Sequence, residues 1–301
     1  MTTIAKPVDA LPPAATKRRS FWRRFRKNTP AVIALVLAIL LFGAGMGYWF
    51  LDLAGVHWPY DPIIPNPPDQ LQGPSAAHWV GTDDLGRDIF SRILLGAHIS
   101  LLIGFVAVGI AVVIGTILGS VSGYFGGWAD TIIMRFVDMM MCIPTFFLIL
   151  MVMALVRPNV WYVALVIGLT AWTGTSRLVR AEFLTLREMD YVHAARALGA
   201  RHLRVIFRHI LPNALPPVFV SAVLGVASAI LIEASLSYLG FGVQPPDPSW
   251  GNIISDGKQY ILDAWWLIVF PGVAIFVTTL AFYVTGEGLR IALDPKETKQ
   301  I

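Results

Sequence analysis

The stretch SLLIGFVAVGIAVVIGTILGSVSG, residues 100–123, has no charged side chain, and the uncharged run around it extends from residue 93 to 129. A hydrocarbon core of roughly 30 Å is crossed by about 20 helical residues, so the run reads as a transmembrane helix over 100–123, with His98 near its start. Working outward, five more uncharged runs have comparable length. They cover residues 31–51, between Lys27 and Asp52; 139–156, with a helix beginning near Asp130; 158–176; 212–238, interrupted only by Glu233; and 264–286. Six spans follow, an all-α polytopic membrane protein. The whole composition agrees. Of 301 residues, 56% are hydrophobic and 14% charged, against about 45–50% and about 25% in a soluble domain. The 19 acids and 23 bases are too few to coat a soluble globule of this size. Disorder is excluded by the same figures, because it requires low hydrophobicity. The single cysteine, Cys142, excludes an intramolecular disulfide and a CxxC metal site.

The first run is too long for the apolar core of a cleaved signal, which has about 7–15 residues, and it follows a basic leader, residues 1–30. Orientation comes from Lys and Arg. The leader holds Lys6, Lys17, Arg18, Arg19, Arg23, Arg24, Arg26 and Lys27, the segment between the fourth and fifth spans holds seven arginines from Arg177 to Arg208, and the end adds Arg290, Lys296 and Lys299. Six spans put these on one side together with Arg135, leaving Arg87, Arg92, Arg157 and Lys258 for the other. Both termini are therefore expected in the cytoplasm. Within the leader, Phe21, Trp22 and Phe25 suit a helix lying in the interface, with arginines toward anionic headgroups. No second basic patch or aromatic platform supports nucleic-acid binding.

The outer loop, residues 52–97, opens with a proline-rich part over 59–74, expected to be extended. Then comes GTDDLGRDIFSR, residues 81–92, read as a structured approach to the second span. Thr82 or Asp83 is the expected N-cap, and Asp88 and Arg92 are spaced for a helical ion pair. The three aspartates lack the alternation and terminal Glu of a calcium loop.

The segment 177–212 is too polar to span and too patterned for a linker. Tyr191, Ala194, Ala195 and Leu198 fall on one helical face, and Gly199 follows where a left-handed residue ends a helix. A second helix places Leu203, Ile206, Phe207 and Ile210 on one face and Arg201, Arg204 and Arg208 on the other, and Leu211-Pro212 is expected to stop it. Spacing alone leaves two uses open for this hairpin, 185–212. It docks another protein, or it packs on the chain's own spans and the lipid surface.

The run YVHAARALG, residues 191–199, followed by Ile210-Leu211-Pro212, resembles the E-A-A-x3-G loop of ABC importer permeases. Residues 81–92, PPDPSWG at 245–251, and GEGLR with LDP at the C-terminal end resemble marks of the peptide/nickel subfamily, most like its C-type permease. His193 stands where the family most often has Glu, His209 where the broad motif is apolar, and Glu287 and Ile291 where Asp is frequent. The resemblance implies a type I ABC importer permease fold in a bacterial cytoplasmic (inner) membrane. It implies a core over 98–290 with a cytoplasmic tail from 291, and a hairpin that couples to a separate ATPase. Carried over by position, Ala194, Ala195 and Gly199 make the close contact, with Tyr191, Val192, His193 and Leu198 around them. The implied partners are a homologous second permease, two ATP-binding subunits that hold ATP and Mg, and an extracytoplasmic substrate-binding protein. The implied cargo is di- or oligopeptides, with glutathione and nickel chelates as alternatives.

No G-x-x-x-x-G-K-[ST], G-x-S-x-G or paired His/Cys spacing occurs in the chain, so neither nucleotide binding of that kind nor catalysis is expected of it. Glu233 is the isolated acid at membrane depth and a candidate for the translocation path. Arg135 and Asp138, three apart, are expected to pair or snorkel. A self-sufficient secondary carrier would use these same groups, and it is the rival from another class.

Overall fold

A computed structural model describes residues 14–156 and 159–293, with side chains from residue 21 onward. Lys6, Arg157, Lys296 and Lys299, and the side chains of Lys17, Arg18 and Arg19, lie outside the described residues. Helix α1, Ala14–Lys27, turns at Asn28 into α2, Thr29–Leu53. The Asn28 carboxamide oxygen accepts from the Ala31 amide and Pro30 occupies the first turn, where its missing N–H costs nothing. The leader differs from expectation at Phe25. That ring is 2% exposed and packs on Ala31 and Ala292, inside the protein instead of in lipid, whereas Trp22 stays exposed.

Helix α3, Ile89–Phe125, is 37 residues long and begins well before residue 100. Its N-cap is Asp88, whose carboxylate accepts from the Ser91 amide and hydroxyl. Thr82 and Asp83, the expected caps, lie in the loop before it. The Asp88–Arg92 pair is also replaced. Asp88 takes Nδ1 of the buried His78 at 2.9 Å, while Arg92 lies 3.6 Å from Asp83 and 3.5 Å from Asp256. Tertiary partners win because an N-cap carboxylate is turned toward its own amides and cannot also reach forward one turn.

The third span is broken. Helices α4, Gly127–Cys142, and α5, Thr145–Leu155, meet at an angle of 81°. Pro144 has no amide to donate and pushes the preceding residue out of helical space; Ile143 sits at φ −91°, ψ 123°. Helix α6, Val160–Leu186, returns across the bundle, α7 is the short helix Asp190–Ala197, and α8 runs unbroken over His202–Tyr238. Leu211-Pro212 therefore does not end the second hairpin helix, which continues into the fifth span. A π turn over Val205–Ile210 precedes the proline. It widens the helix where the Pro212 ring would otherwise strike the carbonyl of Arg208. Helices α9, Trp250–Gly257, and α10, Trp266–Leu293, complete the chain.

Five of these helices are long and apolar enough to cross a membrane, and six spans result when the bent pair counts as one. No β-strand occurs among the described residues; Thr82 and Asp88 form an isolated bridge. The bundle is centred on α3, which packs most extensively on α6 and also on α8 and α2. A central core gathers Ile103, Ile149, Met153, Ile167 and Leu236. At the end away from the hairpin, two indoles lock the loops down. Trp250 Nε1 donates to the Ile93 carbonyl at 3.1 Å and Trp266 Nε1 to the Thr82 carbonyl at 3.0 Å. Residues 81–92 and the 245–251 motif are thereby tied to the same end of the bundle.

Candidate functional site

The hairpin is built to keep one face open while the other is anchored. Val192 is fully buried, in a cluster with Tyr124, Val179, Phe183, Val205, Ile206 and Ile210. It is the anchor of α7, and it lies behind the exposed surface on which the sequence placed it. The second half reverses part of the expected pattern too. Ile206 and Ile210 point inward with Val205, but Leu203 and Phe207 are exposed.

The outward face of α7 is small and apolar. Tyr191, His193, Ala194, Leu198 and Gly199 are exposed and Ala195 is half-buried. Leu198 is 89% exposed, an unusual degree for a leucine beside an otherwise buried cluster. Gly199 has φ +81°, as expected. Its amide donates to the Arg196 carbonyl at 2.9 Å, and the Ala200 amide donates to the Ala195 carbonyl at 3.1 Å. That pair of bonds is a Schellman termination, which favours glycine at the left-handed position. Partial burial raises the Tyr191 phenol above its usual pKa. His193 Nε2 lies 3.6 Å from Glu188.

Polar contacts join the hairpin to three helix ends. Tyr124 OH, at the end of α3, is 2.9 Å from His202 Nδ1, and the Arg196 guanidinium lies over the Tyr124 ring at 5.2 Å. Arg187 donates to the Gly123 carbonyl at 3.1 Å. On α6, Arg180 grips Asp130 of α4 with two nitrogens, at 2.5 and 2.7 Å, and Asp130 also takes the Ser122 hydroxyl. Bidentate charge-assisted bonds of this kind fix orientation as well as distance. The hairpin is thereby tied to the α3 end, and α3, α4 and α6 are tied to one another there. No spacing in the sequence marks Asp130 and Arg180 as partners, since fifty residues separate them.

Asp138 bonds Arg177 of α6 instead of Arg135, and Arg135 is exposed. Glu233 is 0% exposed. One of its carboxylate oxygens accepts from Ser100 Oγ at 2.9 Å and the other from Ser237 Oγ at 2.7 Å. Ser237 Oγ in turn accepts from the Val243 amide at 3.0 Å. The acid thus ties α3 to the turn that leaves α8.

The comparisons with known proteins agree with this architecture. Residues 112–299 match the family described as "Binding-protein-dependent transport system inner membrane component". The dipeptide transport system permease protein DppC of Alkalihalophilus pseudofirmus is 46% identical over 94% of this chain and 91% of its own length. DppC of Escherichia coli K12 is 43% identical over 96% of both. The glutathione transport system permease protein GsiD of Pectobacterium atrosepticum is 41% identical over 93% of this chain and 92% of its own. Among solved structures, a chain of the MetNI methionine ABC transporter in an inward-facing conformation superposes with a TM-score of 0.51. It is 20% identical and covers 67% of this chain and 94% of that one, a likeness of fold. The chain belongs to the binding-protein-dependent transport system inner membrane components, the permeases of ABC importers.

Proposed function

We propose that the chain forms half of the translocation path of an ATP-driven importer of di- and oligopeptides, in a bacterial cytoplasmic membrane with both termini inside. A homologous permease supplies the other half, two ATP-binding subunits hold ATP and Mg, and a substrate-binding protein delivers cargo at the outer face. The observation that carries the coupling role is the hairpin itself. An exposed face of small and apolar residues, Tyr191 to Gly199, sits on a base packed on α3, α6 and α8 and hydrogen-bonded to the α3 end. Rigid-body motion of a docked subunit reaches the spans through such a base without being absorbed on the way. The peptide substrate is supported by the dipeptide permeases at 43–46% identity. Glutathione, carried by a relative at 41%, is itself a small peptide.

Two substitutions test the docking face. Leu198→Asp changes a side chain that is 89% exposed, and Gly199→Val forces a branched residue into a left-handed conformation, at a cost of about 1–2 kcal/mol confined to the turn. Both are expected to insert normally and to lose ATP-binding subunits on co-purification, or to keep them and lose ATP-driven uptake. Uptake at the wild-type rate from both variants refutes the coupling assignment.

A further inference from the structure

A cavity of about 1030 Å³ opens at the hairpin end of the bundle, between α1, α6, α8 and α10. Its size is at the top of the range for ligand sites, about 300–1,000 Å³. A smaller one, about 240 Å³, lies deeper among α3, α6 and α8. The large cavity sits where apolar sequence gives way to polar. Glu182 of α6 lies past the uncharged run 158–176, in the polar segment that follows it; Asn213 opens the run 212–238, and Arg290 follows the run 264–286. Phe21 of the leader closes another side, next to the exposed Trp22. This border is the level of lipid headgroups, where interfacial helices lie.

The lining is divided by chemistry. Pro216, Pro217, Val220 and Leu224 of α8 form an apolar wall. It runs from Asn213 toward the middle of the helix, about 16 Å at the helical rise. The rim is polar. Glu182 is partly exposed and makes no hydrogen bond or ion pair with another described residue. Arg290 meets Glu287 through one nitrogen at 3.5 Å, an exposed contact that leaves most of the guanidinium donors over. Arg24 borders the same rim but already has an interaction of its own. The ligand that matches carries an ammonium for Glu182, a phosphate for Arg290 and a hydrocarbon chain for the wall. An anionic headgroup without an amine would leave Glu182 unpaired beside a second negative charge. A soluble zwitterion would leave the apolar wall uncovered.

We propose that this cavity binds an amine-bearing zwitterionic phospholipid from the leaflet at the hairpin end. Its ammonium lies at Glu182, its phosphate at Arg290 and one acyl chain along the α8 wall. The leader's apolar cluster joins α2 and α10; the lipid bridges the leader to α6 and α8 as well. The site is separate from the coupling face and does not depend on the cargo.

The test is native mass spectrometry of the full chain, purified in a non-ionic detergent, delipidated and titrated with phosphatidylethanolamine, phosphatidylglycerol or phosphatidylcholine of one acyl composition. The wild type is expected to bind one phosphatidylethanolamine about tenfold more tightly than phosphatidylglycerol, the effect of one charge-assisted hydrogen bond. Phosphatidylcholine, whose ammonium has no N–H, is expected to bind more weakly than phosphatidylethanolamine. Glu182→Gln removes the preference, and Arg290→Gln weakens phosphatidylethanolamine binding about tenfold. Asp263→Asn, which neutralises an exposed acid at the other end of the bundle, changes neither. Ser221→Phe fills the cavity, leaves both charges in place and lowers occupancy. Equal wild-type affinities for phosphatidylethanolamine and phosphatidylglycerol, an unchanged preference in Glu182→Gln, or full occupancy in Ser221→Phe overturns the proposal. So does competition by glycerophosphoethanolamine, the same headgroup without acyl chains, because the cavity is then a site for a soluble zwitterion.

Discussion

At the scale of single residues, two glutamates have unlike settings: Glu233 is buried inside the bundle, and Glu182 is partly exposed beside Arg24 and Arg290. Glu233 interrupts the run 212–238 and draws attention in the sequence because no other charge is near it. The fold spends that charge on structure, with Ser100 and Ser237 donating to its two oxygens and neither described cavity reaching it. Glu233→Gln, which keeps one acceptor, is expected to leave ATP-driven uptake near wild type. Glu233→Leu removes both acceptors and leaves buried hydroxyls unpaired, at about 1–3 kcal/mol; it is expected to lower the melting temperature of the detergent-solubilised complex. A large loss of uptake from the Gln variant in a normally melting complex would return Glu233 to the path. Glu182 is harder to see. It sits five residues from Arg187 in a charged stretch, where an acid looks like ordinary surface, and only the packing of α8 beside α6 gives it a cavity to face.

At the scale of elements, the pairing of α3 with α6 depends on small residues. Gly115, Gly119 and Gly123 recur every four residues, one face of a helix, and a Cβ on any of them would collide with α6. At Gly119 it would lie 2.5 Å from the Ser176 carbonyl oxygen and 2.8 Å from Val179 Cβ. Close backbone approach through small residues is how helices associate without a hydrophobic drive. Gly119→Ile is expected to push the two helices apart and cost about 1–3 kcal/mol as overpacking. Faster tryptic cleavage at the arginines of the hairpin would report it, since the α3 end at Gly123 and Tyr124 holds that hairpin in place. Unchanged cleavage would mean that the helices can slide to accommodate the side chain. The broken third span was less legible. Residues 130–156 satisfy length and hydropathy, and those averages do not weigh Pro144. The continuous α8 was misread for the converse reason. Proline is a stop signal in an isolated helix, but here a π turn absorbs it and neighbouring helices hold both sides.

For the whole molecule, the proposed function makes transport a property of the assembly. The purified chain alone in liposomes is expected to show neither ATP hydrolysis nor uptake driven by a proton gradient. ATP-driven uptake should appear when the ATPases, second permease and binding protein are added. Proton-driven uptake by the chain alone would favour the secondary-carrier reading. The apolar runs, the placement of the few charges and the motif at 191–199 are local properties. Bilayer thickness, the bias of Lys and Arg, and helix periodicity act on contiguous residues, so the sequence by itself determined the helical class, the spans and the position of the hairpin. The clamp of Asp130 by Arg180, the burial of Val192 behind an open Leu198, and the cavity that Glu182 borders join residues distant in the chain. Each depends on which helix faces which. That is decided by close packing among several surfaces of nearly equal hydrophobicity, and only the tertiary structure resolves it.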